Sequence, residues 1–103
     1  MKQFHPLKVA AKHQETRDAI RVALDVPENL RPEFDFQPGQ HLPIQVELDG
    51  KRLRRTYSIC SEPGHWPLEI GIRVQPGGRF SEYVSRSLQV GDVLDVMPPT
   101  GRF

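Results

Sequence analysis

An all-β fold, a six-stranded antiparallel Greek-key barrel carrying one short α-helix, is what this chain of 103 residues predicts. Three observations carry the expectation. Apolar and polar residues alternate strictly in several segments, which is the period of a half-buried strand. Ten prolines and eight glycines separate those segments, so the alternating runs are short and bounded by turns. Only one segment breaks the period of two. Short antiparallel strands of this kind reach stability by closing the sheet, because closure removes exposed edges.

The elements follow in order. Leu7, Val9 and Ala11 form a weak first alternation, and Asp18 opens the return of a hairpin. Ile20, Val22, Leu24 and Val26 then alternate with Arg21, Ala23 and Asp25. The stretch from Pro27 to Gly39 holds three prolines and reads as a loop. Leu42, Ile44, Val46 and Leu48 give the third strand, and Leu53 through Ile59 a weaker fourth. Asp49-Gly50 lies between these two runs, the strongest short hairpin signal, so residues 41–48 and 52–60 should pair antiparallel. Leu68, Ile70, Ile72 and Val74 form a fifth strand, and Val93 to Met97 a sixth after the Gly91-Asp92 turn. Between them Phe80, Tyr83, Val84 and Leu88 are spaced for an amphipathic helix over 80–88, with Ser81 as its N-cap.

Composition bounds the function. The chain is 37% hydrophobic and 26% charged, ordinary for one soluble globular domain. A net charge of +1 argues against a general polyanion binder, although ten of the fourteen basic residues are arginine, whose planar fork suits phosphate oxygens. No apolar run approaches the ~18 residues of a membrane span, and no signal-peptide core follows Met1. The single cysteine, Cys60, excludes an internal disulfide and any cysteine-based metal cluster; a cytoplasmic, reducing setting is expected. Cys60 is expected to be a buried or half-buried structural thiol. His5, His13, His41 and His65 lack metal-ligand spacing, so no metal site is expected, and Trp66 is expected to cover one end of the barrel.

Two segments carry candidate chemistry. In Arg54-Arg55-Thr56-Tyr57-Ser58-Ile59-Cys60, Arg55 and Tyr57 share one face of a strand. A cation beside an aromatic plate suits a ligand with a phosphate at one end and a flat ring at the other, with Ser58 at the ring edge. The same residues also read as a surface arginine cluster beside a core tyrosine. In Gln75-Pro76-Gly77-Gly78-Arg79-Phe80-Ser81, two glycines run into a helix start, where free amides and a positive dipole end favour an anion. Taken alone this is a common tight turn, and it is neither the dinucleotide fingerprint nor the P-loop. Two such candidates on neighbouring rims could grip one pyrophosphate.

Read together, these residues resemble the FAD-binding domain of the ferredoxin–NADP reductase family. The family's Arg-x-Tyr-Ser/Thr motif stands here as Arg55-Thr56-Tyr57-Ser58. Its apolar-basic-apolar strand stands as Ile72-Arg73-Val74, and its Gly-x-x-Ser as Gly78-Arg79-Phe80-Ser81. Phe36-Gln37-Pro38-Gly39-Gln40 looks like its entry to the third strand, and Gly101-Arg102-Phe103 like its closing motif. The resemblance covers the whole chain, with the motifs in order. Among members it is most similar to the reductase subunits of phenylacetyl-CoA oxygenase systems.

The resemblance implies FAD as cofactor. Arg55 would pair the pyrophosphate, Tyr57 would pack on the isoalloxazine, and Ser58 would hydrogen-bond near its reactive nitrogen, with Thr56 between them. Ile72, Arg73 and Val74 would line the flavin, largely through their backbone, while Gly78, Arg79, Phe80 and Ser81 would hold the pyrophosphate. In the family a hydride passes from NAD(P)H to the flavin, and electrons leave singly to an iron–sulfur domain or ferredoxin that serves an oxygenase component. The family's NAD(P)-binding and ferredoxin-like domains have no counterpart in residues 1–103. The chain is therefore expected to be the flavin-binding part of a longer protein, inactive as a reductase alone. The rival class is a non-catalytic small barrel that binds single-stranded nucleic acid or docks a partner protein through Arg52, Arg54, Arg55 and Tyr57. The low net charge counts against nucleic acid.

Overall fold

The computed structural model describes residues 3–101. The elements are β1 (His5–Thr16), β2 (Ala19–Asp25), β3 (His41–Leu48), β4 (Lys51–Ser58), β5 (Leu68–Arg73), α1 (Arg79–Arg86) and β6 (Val93–Val96). The strands form one antiparallel sheet in the order β4-β3-β6-β1-β2-β5. Within it, β6-β1-β2-β5 has the Greek-key arrangement, with a late strand returning beside the first.

Alternation places the core. Ile20, Val22 and Leu24 of β2, Leu42 and Ile44 of β3, and Leu68, Ile70 and Ile72 of β5 are all buried on one side of the curled sheet. Leu7 and Val9 of β1 and Leu94 and Val96 of β6 join them. Phe80, Val84 and Leu88 supply the apolar stripe of α1 and the turn after it.

The two expected hairpins are present. Asp49 and Gly50 both have positive φ, 52° and 75°, as a two-residue turn matching the strand twist requires. The 41–48 and 51–58 strands pair in register from His41–Ser58 to Leu48–Lys51. β1 pairs with β2 through irregularities at Val9/Ala11 and Gln14/Thr16, which explains why its alternation is weak in sequence.

Several expectations are corrected. The barrel is incompletely closed: β4 and β5 are the sheet's two edges. Among the described residues they meet at one bridge, Ile59 to Ile70, beside a bond of 2.8 Å from the Cys60 N–H to the Glu69 carbonyl. Arg55 on β4 and Arg73 on β5 flank the remaining gap, and full closure would strip water from both charges. The Pro27–Gly39 loop contains a 3-10 segment, Glu28–Phe34, which delivers Phe34 fully buried to the core. The helix starts earlier than its apolar spacing implied, with Gly78 rather than Ser81 at the N-cap position. Cys60 is exposed rather than buried, because it lies just past the end of β4 where the two edges meet. Trp66 is partly buried against the core, with the Arg31 guanidinium 5.2 Å from its ring centre. The expected closing motif at Arg102-Phe103 lies outside the described residues.

No helix of the described residues is long and apolar enough to cross a membrane. Among them, no group of His, Cys, Asp and Glu side chains is placed to hold a metal ion.

Candidate functional site

The gap left by incomplete closure is itself a cleft of about 350 Å³, at the small end of the ~300–1,000 Å³ range of ligand pockets. Its walls are Arg55, Thr56, Tyr57 and Ser58 from β4, Gly71 and Arg73 from β5, and Gln75, Gly78, Phe80 and Ser81 from the turn into α1. Both candidate segments therefore face one space, although some twenty residues separate them in the chain.

On β4 the register sets Tyr57 opposite Leu42 and Arg55 opposite Ile44, so both side chains lie on the core-side face. At an interior strand that face would be buried. Here β4 is an edge, and it opens into the cleft. The Tyr57 ring is half-buried and rests 5.5 Å from the buried Phe80 ring, tilted by 41°, a separation typical of stabilising aromatic pairs. Burial pushes the Tyr57 phenol above its ordinary value of 10.0, and the Arg55 charge partly opposes this. The phenol is thus neutral at physiological pH. Arg55 is exposed and donates from Nη1 to the Arg54 carbonyl at 2.8 Å, which holds the guanidinium along the strand at the cleft wall.

On the opposite side, the turn before α1 is tied by Ser81. Its Oγ accepts the Gln75 N–H at 3.1 Å and donates to the Gly78 carbonyl at 3.2 Å. A Cβ on Gly78 would stand 2.8 Å from that hydroxyl and 3.1 Å from the Gln75 carbonyl, so a side chain there would push against the turn. The consequence is a helix whose first amides, those of Arg79, Phe80 and Ser81, have no intrahelical acceptor and lie at the cleft's edge. Two cations and a helix N-terminus around one aromatic plate are suited to a phosphate joined to a flat ring.

The cleft brings together Arg55, Thr56, Tyr57, Ser58, Arg73, Gly78, Phe80 and Ser81. It does not take in the side chains of Ile72, Val74 or Arg79. Ile72 is buried in the core, Val74 packs against it, and Arg79 reaches the β3–β4 turn instead. Ser81 serves the turn with both of its hydrogen bonds. Gly71 and Gln75 are wall residues that sequence reasoning did not single out. For Gly71 the signal was there, since a glycine inside an alternating strand marks close approach of a ligand or backbone. A Cβ at Gly71 would meet nothing within 4 Å, so no protein contact accounts for its smallness. The donors, the aromatic wall and this bare strand floor fit a flavin nucleotide.

Comparison with known proteins agrees with that chemistry. The family profile of the oxidoreductase FAD-binding domain matches residues 6–103. One of the subunits of 1,2-phenylacetyl-CoA epoxidase from Escherichia coli (strain K12) is 41% identical over 103 residues, all of this chain and 29% of that protein. The chain thus spans less than a third of the length of this relative. Among solved structures, the flavohem-like FAD/NAD-binding domain of nitric oxide dioxygenase from Vibrio cholerae O1 biovar El Tor superposes with a TM-score of 0.82. It is 26% identical, and the match covers 98% of this chain and 45% of that one. Phthalate dioxygenase reductase, described as carrying electrons from pyridine nucleotides to [2Fe-2S], has a TM-score of 0.73 at 27% identity, over 97% of this chain and 30% of its own. With its motifs on one cleft and its full length matched, the chain belongs to the oxidoreductase FAD-binding domain family.

Proposed function

We propose that this domain holds FAD in the cleft between β4, β5 and α1, as the flavin-binding unit of a longer NAD(P)H-dependent reductase. Its electrons would go to an iron–sulfur domain or ferredoxin and from there to an oxygenase component. The observation that carries the reading is the convergence of Arg55, Tyr57 and Ser58 with the start of α1 on the one unclosed seam of the sheet.

FAD would supply the chemistry, coupling a two-electron hydride donor to a one-electron acceptor. The chain's residues bind and orient it. Arg55 and Arg73 neutralise pyrophosphate charge together with the amides of Arg79, Phe80 and Ser81. Tyr57, backed by Phe80, offers a flat wall for the isoalloxazine. Ser58 and Thr56 stand exposed along the same strand as hydrogen-bonding partners for the ring edge. Gly71 leaves the strand floor open, and Ile72 and Val74 keep that floor rigid by anchoring it in the core. The reading of these partners is supported by relatives that include a phthalate dioxygenase reductase and reductase subunits of glycine betaine monooxygenase.

Flavin fluorescence titration tests the site. Arg55→Ala should weaken FAD by about one to two decades, the worth of a charge-assisted contact of ~1.5–3 kcal/mol. Gly71→Val should abolish binding while leaving circular dichroism and thermal melting unchanged, because its side chain enters the cleft and touches nothing in the folded domain. Wild-type affinity in both variants would place the flavin elsewhere.

A further inference from the structure

On the side of the sheet turned away from the core, Arg21 of β2 stands opposite Gly71 of β5. Ile20 and Val22 on one strand and Ile70 and Ile72 on the other are buried, so alternation sends Arg21 and Gly71 to the same outer side. Cβ positions so paired lie ~4.5–5.5 Å apart, and Gly71 is part of the cleft wall. An arginine therefore borders the bare strand floor of the cleft.

Arg21 is not left to swing across that floor. Its Nε lies 2.8 Å from Glu15 Oε1 and 3.7 Å from Glu69 Oε2. Glu69 belongs to β5 itself, on the same outer side as Gly71. Glu15 is supplied by an irregularity in β1: Gln14 pairs with Ile20 and Thr16 with Ala19, which leaves Glu15 as the extra residue between them. Bulges re-aim side chains, and this one delivers a carboxylate to Arg21. The Nε is buried, yet its contacts are ion pairs without a well-aligned hydrogen bond. The rest of the pair is partly exposed, so the clamp adds little to stability and calls for another explanation. The field of the cluster also reaches the end of β4. Burial and then Glu69 push the Cys60 thiol up, and Arg21 opposes them; Cys60 lies two residues beyond Ser58.

We propose that Arg21, clamped by Glu15 and Glu69, tunes the reduction potential of the flavin from the outer side of β5. This rests on the flavin assignment above and goes beyond it, since none of the three side chains lines the cleft. The hydride that a reduced pyridine nucleotide gives up carries two electrons and one proton, and its transfer leaves one added negative charge on the flavin. A cation at the cleft's edge favours that charge, and a carboxylate opposes it. Arg21 and its two clamps therefore act with opposite sign, and the clamp fixes how much of the cation is felt.

The experiment compares the full chain loaded with FAD as wild type, Arg21→Gln, Arg21→Lys and Glu15→Gln, each equilibrated with a redox dye of known potential. At a fixed dye potential, Arg21→Gln should lower the ratio of reduced to oxidised flavin by roughly three- to tenfold, and Glu15→Gln should raise it by a similar factor. Arg21→Lys, which keeps the charge, should stay within about twofold of wild type. Arg21→Gln and Glu15→Gln break the same ion pair, so a purely structural role would move the ratio the same way in both. Shifts of the same sign, or no shift in either, would overturn the proposal. So would a loss of FAD affinity beyond about tenfold in Glu15→Gln, which would make the cluster part of the binding site. Thermal melting checks folding; should Arg21→Gln fail to fold, Glu15→Gln and Glu69→Gln decide, both being required to raise the ratio. Each of these results leaves the flavin assignment standing. Failure of wild type to bind FAD would instead overturn that assignment and this inference with it.

Discussion

Tyr57 illustrates how one side chain acquires a role from its position on an edge strand. Its ring is packed from behind by Phe80 and open in front to the cleft, and burial raises its phenol above 10.0. Burial raises Tyr83 likewise, with the Asp92 charge adding to the effect. Both phenols therefore keep their protons in the fold at a pH where the unfolded chain releases them. The unfolded state then binds fewer protons, so stability must fall as pH rises through 10 and beyond. The urea midpoint of wild type should decline over that range, and the decline should be shallower in a Tyr57→Phe/Tyr83→Phe variant. Equal slopes would show that neither phenol is perturbed. That Arg55 and Tyr57 share one side of β4 was legible because a period of two fixes which side chains are neighbours. The hydroxyl of Ser81 was not, since its two bonds to the Gln75 amide and the Gly78 carbonyl depend on how the turn folds back on the helix.

The turns and strands show two glycines with opposite reasons. Gly50 has φ +75° in the β3–β4 turn and open space around it, so the backbone conformation alone requires glycine there. Gly71 sits in ordinary strand backbone, also with open space, so neither backbone conformation nor packing within the fold requires its bareness. Gly50→Ala should lower stability by about 1 kcal/mol, seen as a lower urea midpoint. Gly71→Ala should leave the midpoint near wild type, since an alanine is no worse than glycine in a strand. If Gly71→Ala costs as much as Gly50→Ala, the strand floor is structural and the ligand argument for it fails. Helix α1 was recognisable from Phe80, Tyr83, Val84 and Leu88, but its start was displaced. Apolar spacing reports which face is buried; it does not report where the backbone first turns helical. The 3-10 segment was hidden for a related reason. Its prolines read as loop, while the burial of Phe34 depends on contacts from distant strands.

With a radius of gyration of 12.9 Å, the described residues have the dimensions expected of a single domain, about 13 Å for 100 residues. The sheet curls far enough to bring β4 and β5 together at one end and leaves them apart where the cleft lies. Hydride transfer needs a nicotinamide held in near-attack geometry against the flavin, a positioning worth several kcal/mol of barrier. The chain spans 29% of the length of its Escherichia coli relative, and the donor site is expected in the part of such proteins that it does not span. The 103-residue chain loaded with FAD should then oxidise NADH or NADPH, with ferricyanide as acceptor, no faster than free FAD at the same concentration. Robust turnover would require a nicotinamide site within this domain.

Strand number, both hairpins and the helix could be read from the residues in line, as could the pairing of Arg55 with Tyr57 on one strand face; that the segment is a flavin motif came only from its resemblance to a known family. The features read in line rest on local chemistry: alternation selects a buried face, Asp-Gly selects a turn, and an arginine two residues from a tyrosine shares its side of a strand. Where the sheet stays open is a different kind of fact. It depends on which two strands end up as edges: β4 pairs only with β3 and β5 only with β2, while β6 returns to lie between β1 and β3 and joins the two halves into one sheet. Because β4 is left as an edge, Arg55 and Tyr57 of its core-side face become the wall of a cleft. Arg73, Gly78 and Ser81 lie across from them, and Arg79 is drawn away to the β3–β4 turn. Pairings between residues tens of positions apart are not encoded in any short stretch of sequence, so the tertiary fold alone decided the composition of the site.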